Sequence, residues 1–168
     1  MSDKKSSIQA FESAYNYDAT YMHRLLAASP EAYAVFEAFL PMGHFRRELC
    51  TEAFHVAKIV VMKIEDCGSC LQLSVKMALE AGLSPATVRA ALGEGVDLSA
   101  SLQLVHRFAA AVAGNAGVEE ADIEALVACY GDGGLAELAL AIASARVYPS
   151  VKRAMGLSQS CSLQAIEV

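Results

Sequence analysis

The chain has no run of about 18 consecutive apolar residues, the length that a membrane-spanning helix needs. Its best candidate, 135–147, is interrupted by Glu137 and Arg146. Lys4 and Lys5 are not followed by an apolar segment, so the pattern of a secretory signal is missing. Together these absences predict a cytoplasmic protein that does not enter a membrane.

Positive charge is also scarce. The chain carries 13 Lys and Arg against 19 Asp and Glu, for a net charge of −6, and no basic cluster is longer than Arg46-Arg47. Binding to nucleic acid is not expected, because it depends on a concentrated basic surface. Charged residues make up only 19% of the sequence and hydrophobic residues 55%. This balance leaves little polar surface for a lone monomer and predicts a homo-oligomer.

The cysteines do not form the pattern of a secreted disulfide framework. Their number, five, is odd, and they include one close pair, Cys67 and Cys70, which indicates a cytosolic chain with a functional Cys-x-x-Cys motif. Structural zinc usually requires two such pairs, or one pair with two well-spaced histidines, and only isolated partners are present. We therefore expect no metal and no bound cofactor. Cys50 and Cys129 fit apolar helix faces, and Cys161 falls in the C-terminal tail.

Helical periodicity extends over nearly the whole chain. Apolar residues recur at helical spacing, alanine is frequent, and no segment shows the sustained alternation of a half-buried strand. The sequence therefore predicts an all-α, single-domain helical bundle. We expect a loose N-terminal arm over 1–16, the helical domain over 17–157 and a C-terminal tail over 158–168. The predicted helices cover about 30–40, 45–64, 67–81, 85–92, 100–113, 118–130 and 135–155, and Pro149 is expected to kink or interrupt the last.

The dithiol motif is placed at the beginning of a helix. With Asp66 as N-cap, Cys67 and Cys70 are i,i+3 neighbours on one face and are able to form a disulfide. The helix dipole stabilises a thiolate there, whereas the negative charges of Glu65 and Asp66 oppose it. Ser74 follows one turn later and is a candidate hydrogen-bond donor to a sulfur. The alternative is that the two cysteines are ordinary buried core residues.

Several segments resemble one known superfamily. They are the Leu-Pro break at 40–41, the Cys-x-x-Cys motif, the run Ala-x-Glu-Ala-Gly-Leu-Ser-Pro over 78–85, the Arg-Phe-Ala of 107–109 and Glu137 in the last helix. Over about 30–156 the chain resembles the alkylhydroperoxidase D and carboxymuconolactone decarboxylase superfamily. The resemblance implies a helical bundle of that type, assembled as a trimer or a trimer-based hexamer.

The resemblance also implies a proton relay, which this chain alters. Peroxidase members have a glutamate twelve residues before the first cysteine and a histidine four residues after the second, where this chain has His55 and Ser74. His55 is a candidate general base on the helix that packs beside the dithiol in that family. The alternative is a surface or interface histidine hydrogen-bonded to Glu48 or Glu52. The other histidines, at positions 106, 23 and 44, are weaker candidates.

The predicted function is a thiol peroxidase-like or disulfide-reductase activity. The family implies that Cys70 attacks the peroxide and Cys67 resolves the sulfenic acid into a disulfide, with electrons from a lipoyl or thioredoxin-like donor. One alternative is a redox-sensing or binding subunit that has lost the peroxidase chemistry. A third is lactone decarboxylation, in which the cysteine pair has no evident part.

Overall fold

The structure is a computed structural model that describes residues 2–157 and 166–168. Most of these residues are helical. These ranges contain no strand, which confirms the all-α prediction. The elements are α1 (Ser2–Tyr15), α2 (Thr20–Ala28), α3 (Pro30–Phe39), a 3-10 helix (Leu40–His44), α4 (Thr51–Ile64), α5 (Gly68–Glu80), α6 (Pro85–Leu92), α7 (Ala100–Ala113) and α8 (Glu120–Ala154).

Helices α3 and α6 begin at the predicted positions, 30 and 85, and each has a serine N-cap followed by a proline. The Ser29 hydroxyl accepts a hydrogen bond from the Ala32 N–H, and Pro30 occupies the first helical position of α3. The Ser84 hydroxyl caps α6 in the same way, with Pro85 in the first turn. In both cases the side-chain oxygen satisfies a backbone donor that has no partner within the helix.

Helix α4 is the centre of the bundle and packs against α5, α6, α7 and α8. All seven side chains over 56–62 are buried. Six of them are apolar, and the seventh is Lys58. This segment of α4 is buried on all sides and brings the charge of Lys58 into the interior, where a charge is costly unless it finds a partner.

Helix α4 begins later than predicted. The sequence prediction started it near residue 45, but residues 45–50 are a loop and Cys50 is the N-cap. The buried Glu137 carboxylate of α8 holds this loop by accepting hydrogen bonds from the backbone N–H groups of Leu49, Arg47 and Glu48 at 2.9–3.0 Å. These three bonds, that of Leu49 most strongly, lower the pKa of Glu137. The long-range anchor therefore overrides the local helical pattern.

The last two predicted helices, about 118–130 and 135–155, together make up α8 and meet at a kink at Gly131, within the predicted gap between them. The backbone of Gly131 has φ 72° and ψ 171°, and its neighbours on both sides are helical. Pro149 was expected to kink or interrupt this helix, and it does not interrupt it, because α8 continues through it to Ala154. By length and composition alone, α8 is the one helix of the described chain that could span a membrane. One third of its most apolar segment is buried in the fold, and core helices of soluble proteins share these properties.

The N-terminal segment differs from the loose arm predicted for 1–16. Residues 2–15 form helix α1, and Ile8 is buried in the core. Lys4 Nζ lies 2.6 Å from a Glu37 carboxylate oxygen and 5.5 Å from the Tyr33 ring centroid, so α1 is attached to α3. In the predicted tail, 158–165 lie outside the described residues. Glu167 exchanges two hydrogen bonds with the Gln72 side chain.

Candidate functional site

The two sulfurs of the Cys-x-x-Cys motif lie at disulfide-bonding distance. The Cα atoms of Cys67 and Cys70 are 5.3 Å apart, and their side chains are only 1% and 2% exposed. Cys67, rather than the predicted Asp66, is the N-cap of α5. Asp66 has φ 50° and ends the preceding helix, since the Cys67 N–H bonds back to the Met62 carbonyl in the manner of a Schellman motif. The dithiol thus spans the first turn of α5.

A buried ammonium group lies beside the dithiol. Lys152 of α8 is fully buried, and its Nζ donates a hydrogen bond to Ser69 Oγ at 2.8 Å. Ser69 Oγ lies 3.9 Å from Cys67 Sγ. The same ammonium lies 4.8 Å and 5.5 Å from the ring centroids of Tyr17 and Tyr21, a cation–π arrangement. Lys152 therefore brings positive charge to the end of the dithiol where Cys67 lies.

Cys70 has a hydroxyl neighbour that the sequence interpretation did not identify. The Tyr17 hydroxyl lies 3.6 Å from Cys70 Sγ, within hydrogen-bonding distance for sulfur. Ser74, the predicted donor, is buried and has no hydrogen bond to a sulfur among the described residues. The polar contact beside Cys70 therefore comes from the segment between α1 and α2.

The acidic residue next to the motif is neutralised. Glu65 was expected to oppose a thiolate, but its carboxylate accepts a hydrogen bond from Arg146 Nε at 2.9 Å and pairs with the guanidinium of Arg153. Both arginines belong to α8. The two guanidinium groups offset the negative charge of Glu65, so this charge destabilises a nearby thiolate less than the sequence implied.

Cys70 lines a cavity of about 280 Å³. Most of the wall is aromatic or aliphatic, from α1, α2, α3, α5 and α8. Ser74, Lys58 and His44 are among its polar lining residues, and Cys67 is not among the residues that line it in the described chain. The cavity therefore gives a small molecule a route to Cys70 rather than to Cys67.

The structure does not bring His55 to this cavity. His55 lies on α4 with its ring edge-on to Phe54, at 5.3 Å between centroids, and among the described residues it has no hydrogen bond to either cysteine or to Glu48 or Glu52. Burial, with smaller contributions from Lys58, Arg46 and His44, lowers its pKa to about 4.

His44, which the sequence ranked low, does line the cavity. Its pKa is lowered by burial and by Lys58, so its imidazole is neutral near pH 7. His23 lies 3.0 Å from a Glu12 carboxylate oxygen and is occupied by that contact. The cavity therefore holds one histidine, from the 3-10 helix rather than from α4.

Two of the remaining cysteines, Cys50 and Cys129, are free. Cys50 and Cys129 are exposed, contrary to the prediction that they fit apolar faces. Cys50 precedes α4 instead of lying within it, which removes the helical periodicity on which its prediction depended. Cys161 lies outside the described residues. Within them, no group of three or more His, Cys, Asp or Glu side chains is arranged to hold a metal ion.

Sequence reasoning missed Lys152 and Tyr17, which lie beside the dithiol, and Lys58, which lines the cavity. A signal existed for Lys58, since it is the one charged residue in the otherwise apolar segment 56–62. Lys152 is 83 residues from its partner Ser69, and Tyr17 is 53 residues from Cys70. No local pattern indicates such pairings.

No protein-family model, curated protein or solved structure matches this chain.

Proposed function

We propose that this protein is a thiol–disulfide oxidoreductase of the alkylhydroperoxidase D-like type, reducing peroxides or disulfides through Cys67 and Cys70. The observation that carries the proposal is that the two sulfurs are at disulfide distance while Cys70 lines a cavity. A cysteine pair with only a packing role needs neither feature.

The peroxide reaction uses the dithiol as a two-electron donor. The Cys70 thiolate attacks one peroxide oxygen, the O–O bond breaks, and the other oxygen leaves as an alcohol or water after taking a proton. Cys70 is then a sulfenic acid. The Cys67 thiol displaces its hydroxyl as water and forms the disulfide. A disulfide substrate is reduced through a mixed disulfide at Cys70 in the same order.

Regeneration requires an external dithiol, for which a lipoyl or thioredoxin-like donor is the proposed class. The donor thiolate attacks Cys70 Sγ, and Cys67 leaves as a thiolate. The second thiol of the donor then attacks the donor sulfur of this mixed disulfide, which releases Cys70 as a thiolate and leaves the donor as a disulfide. Lys152 stabilises the Cys67 leaving group through its positive charge, because thiolates leave faster when their pKa is lower. In this proposal Lys152 and Tyr17 have the supporting roles beside the thiols that the family resemblance gave to His55 and Ser74.

The test is to oxidise the reduced protein with one equivalent of peroxide and to follow free thiols and intact mass. The wild type is expected to lose two thiols and two mass units. Cys70→Ser is expected to lose this response, and Cys50→Ser, which removes an exposed cysteine, is the matched control and keeps it. Persistence of both motif thiols in excess peroxide would overturn the peroxidase proposal. His55→Ala is expected to react at the wild-type rate.

A second candidate function, a redox-sensing or binding subunit, is favoured by the burial of both sulfurs at 1% and 2% exposure. A sensor forms the disulfide slowly and does not turn over. Steady-state peroxide consumption with dithiothreitol as electron donor separates the two, because only the enzyme consumes many equivalents per chain.

The proposed context follows from the composition. A homo-oligomer, a trimer or hexamer by the family resemblance, would cover part of the surplus apolar surface. Exposed side chains such as Val35, Val96 and Phe45 are candidates for that surface. We place the protein in the cytoplasm, where thiols are kept reduced and a dithiol can cycle.

A further inference from the structure

Lys58 is a buried cation without a carboxylate partner. Its side chain is 7% exposed, and no Asp or Glu lies within ion-pair distance of it among the described residues. Of its three N–H donors, one is bound to the Gly43 carbonyl at 2.8 Å. The Phe54 ring centroid is 5.0 Å from Nζ. Buried charges are normally paired, so the remaining donors are available to an anion.

The cavity that Lys58 lines is otherwise suited to an apolar molecule. Its wall includes the aliphatic and aromatic side chains Ile8, Phe11, Met22, Met62, Leu73 and Met77. The one carboxylate at its wall, Glu37, is paired with Lys4. Among the described residues, the cavity therefore combines an apolar surface with one positive group that has no carboxylate partner.

We propose that this cavity binds a small monocarboxylate with an apolar body, its carboxylate on Lys58 Nζ and its hydrocarbon part along the apolar wall. A cavity of 150 Å³ is enough for benzene, so 280 Å³ accommodates about a dozen non-hydrogen atoms. A medium-chain fatty carboxylate has this size and charge.

The binding site and the dithiol share one cavity, since Cys70 lines it as well. A molecule held at Lys58 is therefore placed beside the proposed nucleophile. The bound carboxylate would be the substrate when its apolar body carries the peroxide or disulfide group, and this step rests on the proposed redox function. The binding itself does not.

Isothermal titration calorimetry tests the binding on the oxidised protein, in which the dithiol cannot react. The probes are decanoate and the neutral decan-1-ol. We expect decanoate to bind with one site per chain, and Lys58→Met to weaken it at least tenfold while leaving decan-1-ol within twofold. The matched control is Lys63→Met, which removes an exposed lysine of the same helix that contacts Gly93 and Glu94 outside the cavity. This control is expected to bind both probes as the wild type does.

A pH series on the wild type tests the same site without a variant. Burial lowers the pKa of Lys58 to about 8, so decanoate affinity should fall at least tenfold between pH 7 and 9.5 as the ammonium deprotonates. Decan-1-ol affinity should stay constant. The other titratable groups that line the cavity or lie near Lys58 do not follow this course. His44 and His55 have lowered pKa values, and the pKa values of Tyr21, Tyr33 and Tyr148 are raised. Glu37 is paired with Lys4, and the cysteines are in a disulfide. For Tyr17, which also lines the cavity, the control is the same pH series on Lys58→Met, in which a Tyr17 phenolate would still weaken decanoate binding at high pH and loss of the Lys58 charge would not.

Equal decanoate affinity in the wild type and Lys58→Met would overturn the proposal, as would a flat pH profile or binding at several equivalent sites. None of these results bears on thiol oxidation. Failure of the binding site and failure of the redox function are therefore distinguishable.

Discussion

Replacing Lys152 by methionine removes the buried ammonium beside the dithiol while keeping an unbranched side chain of similar length. The Nζ–Oγ contact of 2.8 Å and the Oγ–Sγ contact of 3.9 Å through Ser69 place the ammonium no more than about 6.7 Å from Cys67 Sγ. At an effective dielectric constant of about 20, two unit charges at that distance interact by about 2.5 kcal/mol. Losing this attraction should disfavour the Cys67 thiolate relative to the thiol by about 70-fold.

The assay is the pH dependence of alkylation of the reduced protein, with iodoacetamide incorporation measured separately for Cys67 and Cys70 by peptide mass spectrometry. We expect the Cys67 curve to move to higher pH by 1–2 pH units in Lys152→Met. We also expect reduction of the disulfide by dithiothreitol at pH 7 to slow by about tenfold, because Cys67 becomes a poorer leaving group.

Lys76→Met is the matched control, since it removes an ammonium from α5 that is bound to the Tyr15 carbonyl instead of the motif. Both variants should keep the helical circular dichroism spectrum. A shift of less than 0.5 pH unit in the Cys67 alkylation curve of a folded Lys152→Met protein would refute the electrostatic role of Lys152.

Three further predictions concern other contacts of the fold and site. Tyr17→Phe should slow alkylation of Cys70 by about fivefold, the equivalent of one hydrogen bond, and Ser74→Ala should leave the rate within twofold. Glu137 has a lowered pKa, so its contribution to stability is present above the unfolded-state pKa of about 4.5 and is lost as pH falls through the lower folded value. The melting temperature of the wild type should therefore decline with acid more steeply below pH 4.5 than that of Glu137→Gln, and parallel profiles would contradict this. Gly131→Ala should cost about 1–3 kcal/mol in urea unfolding because of its positive φ, and Gly117→Ala, which adds a methyl in open space, should cost much less.

Local signals were enough to predict much of the fold. The Ser-Pro pairs at 29–30 and 84–85 mark helix starts that the structure confirms, and the predicted helix over 100–113 has the observed limits. Gly82 follows the end of α5 with φ 93°, as expected for a residue just beyond a helix. Each of these features depends on a few neighbouring residues, which is why the sequence pattern is informative.

The errors occur where distant residues decide the local structure. The start of α4 was placed too early because the carboxylate of Glu137 binds a loop about ninety residues before it. The N-cap of α5 was wrong by one residue because Asp66 completes the end of α4. The dithiol could be recognised from spacing alone. Its surroundings could not, since Lys152 and Tyr17 reach it from opposite ends of the described chain.

The separation of 83 residues between Ser69 and Lys152 has a consequence for biosynthesis. Both cysteines are made long before α8, so a nascent or partly folded chain holds the thiols without the ammonium that promotes their chemistry. Contacts of such sequence separation form late in folding, because their loop-closure entropy is large. The thiols would therefore gain their full reactivity only on completion of the tertiary structure, and unfinished chains would be spared premature oxidation at the motif.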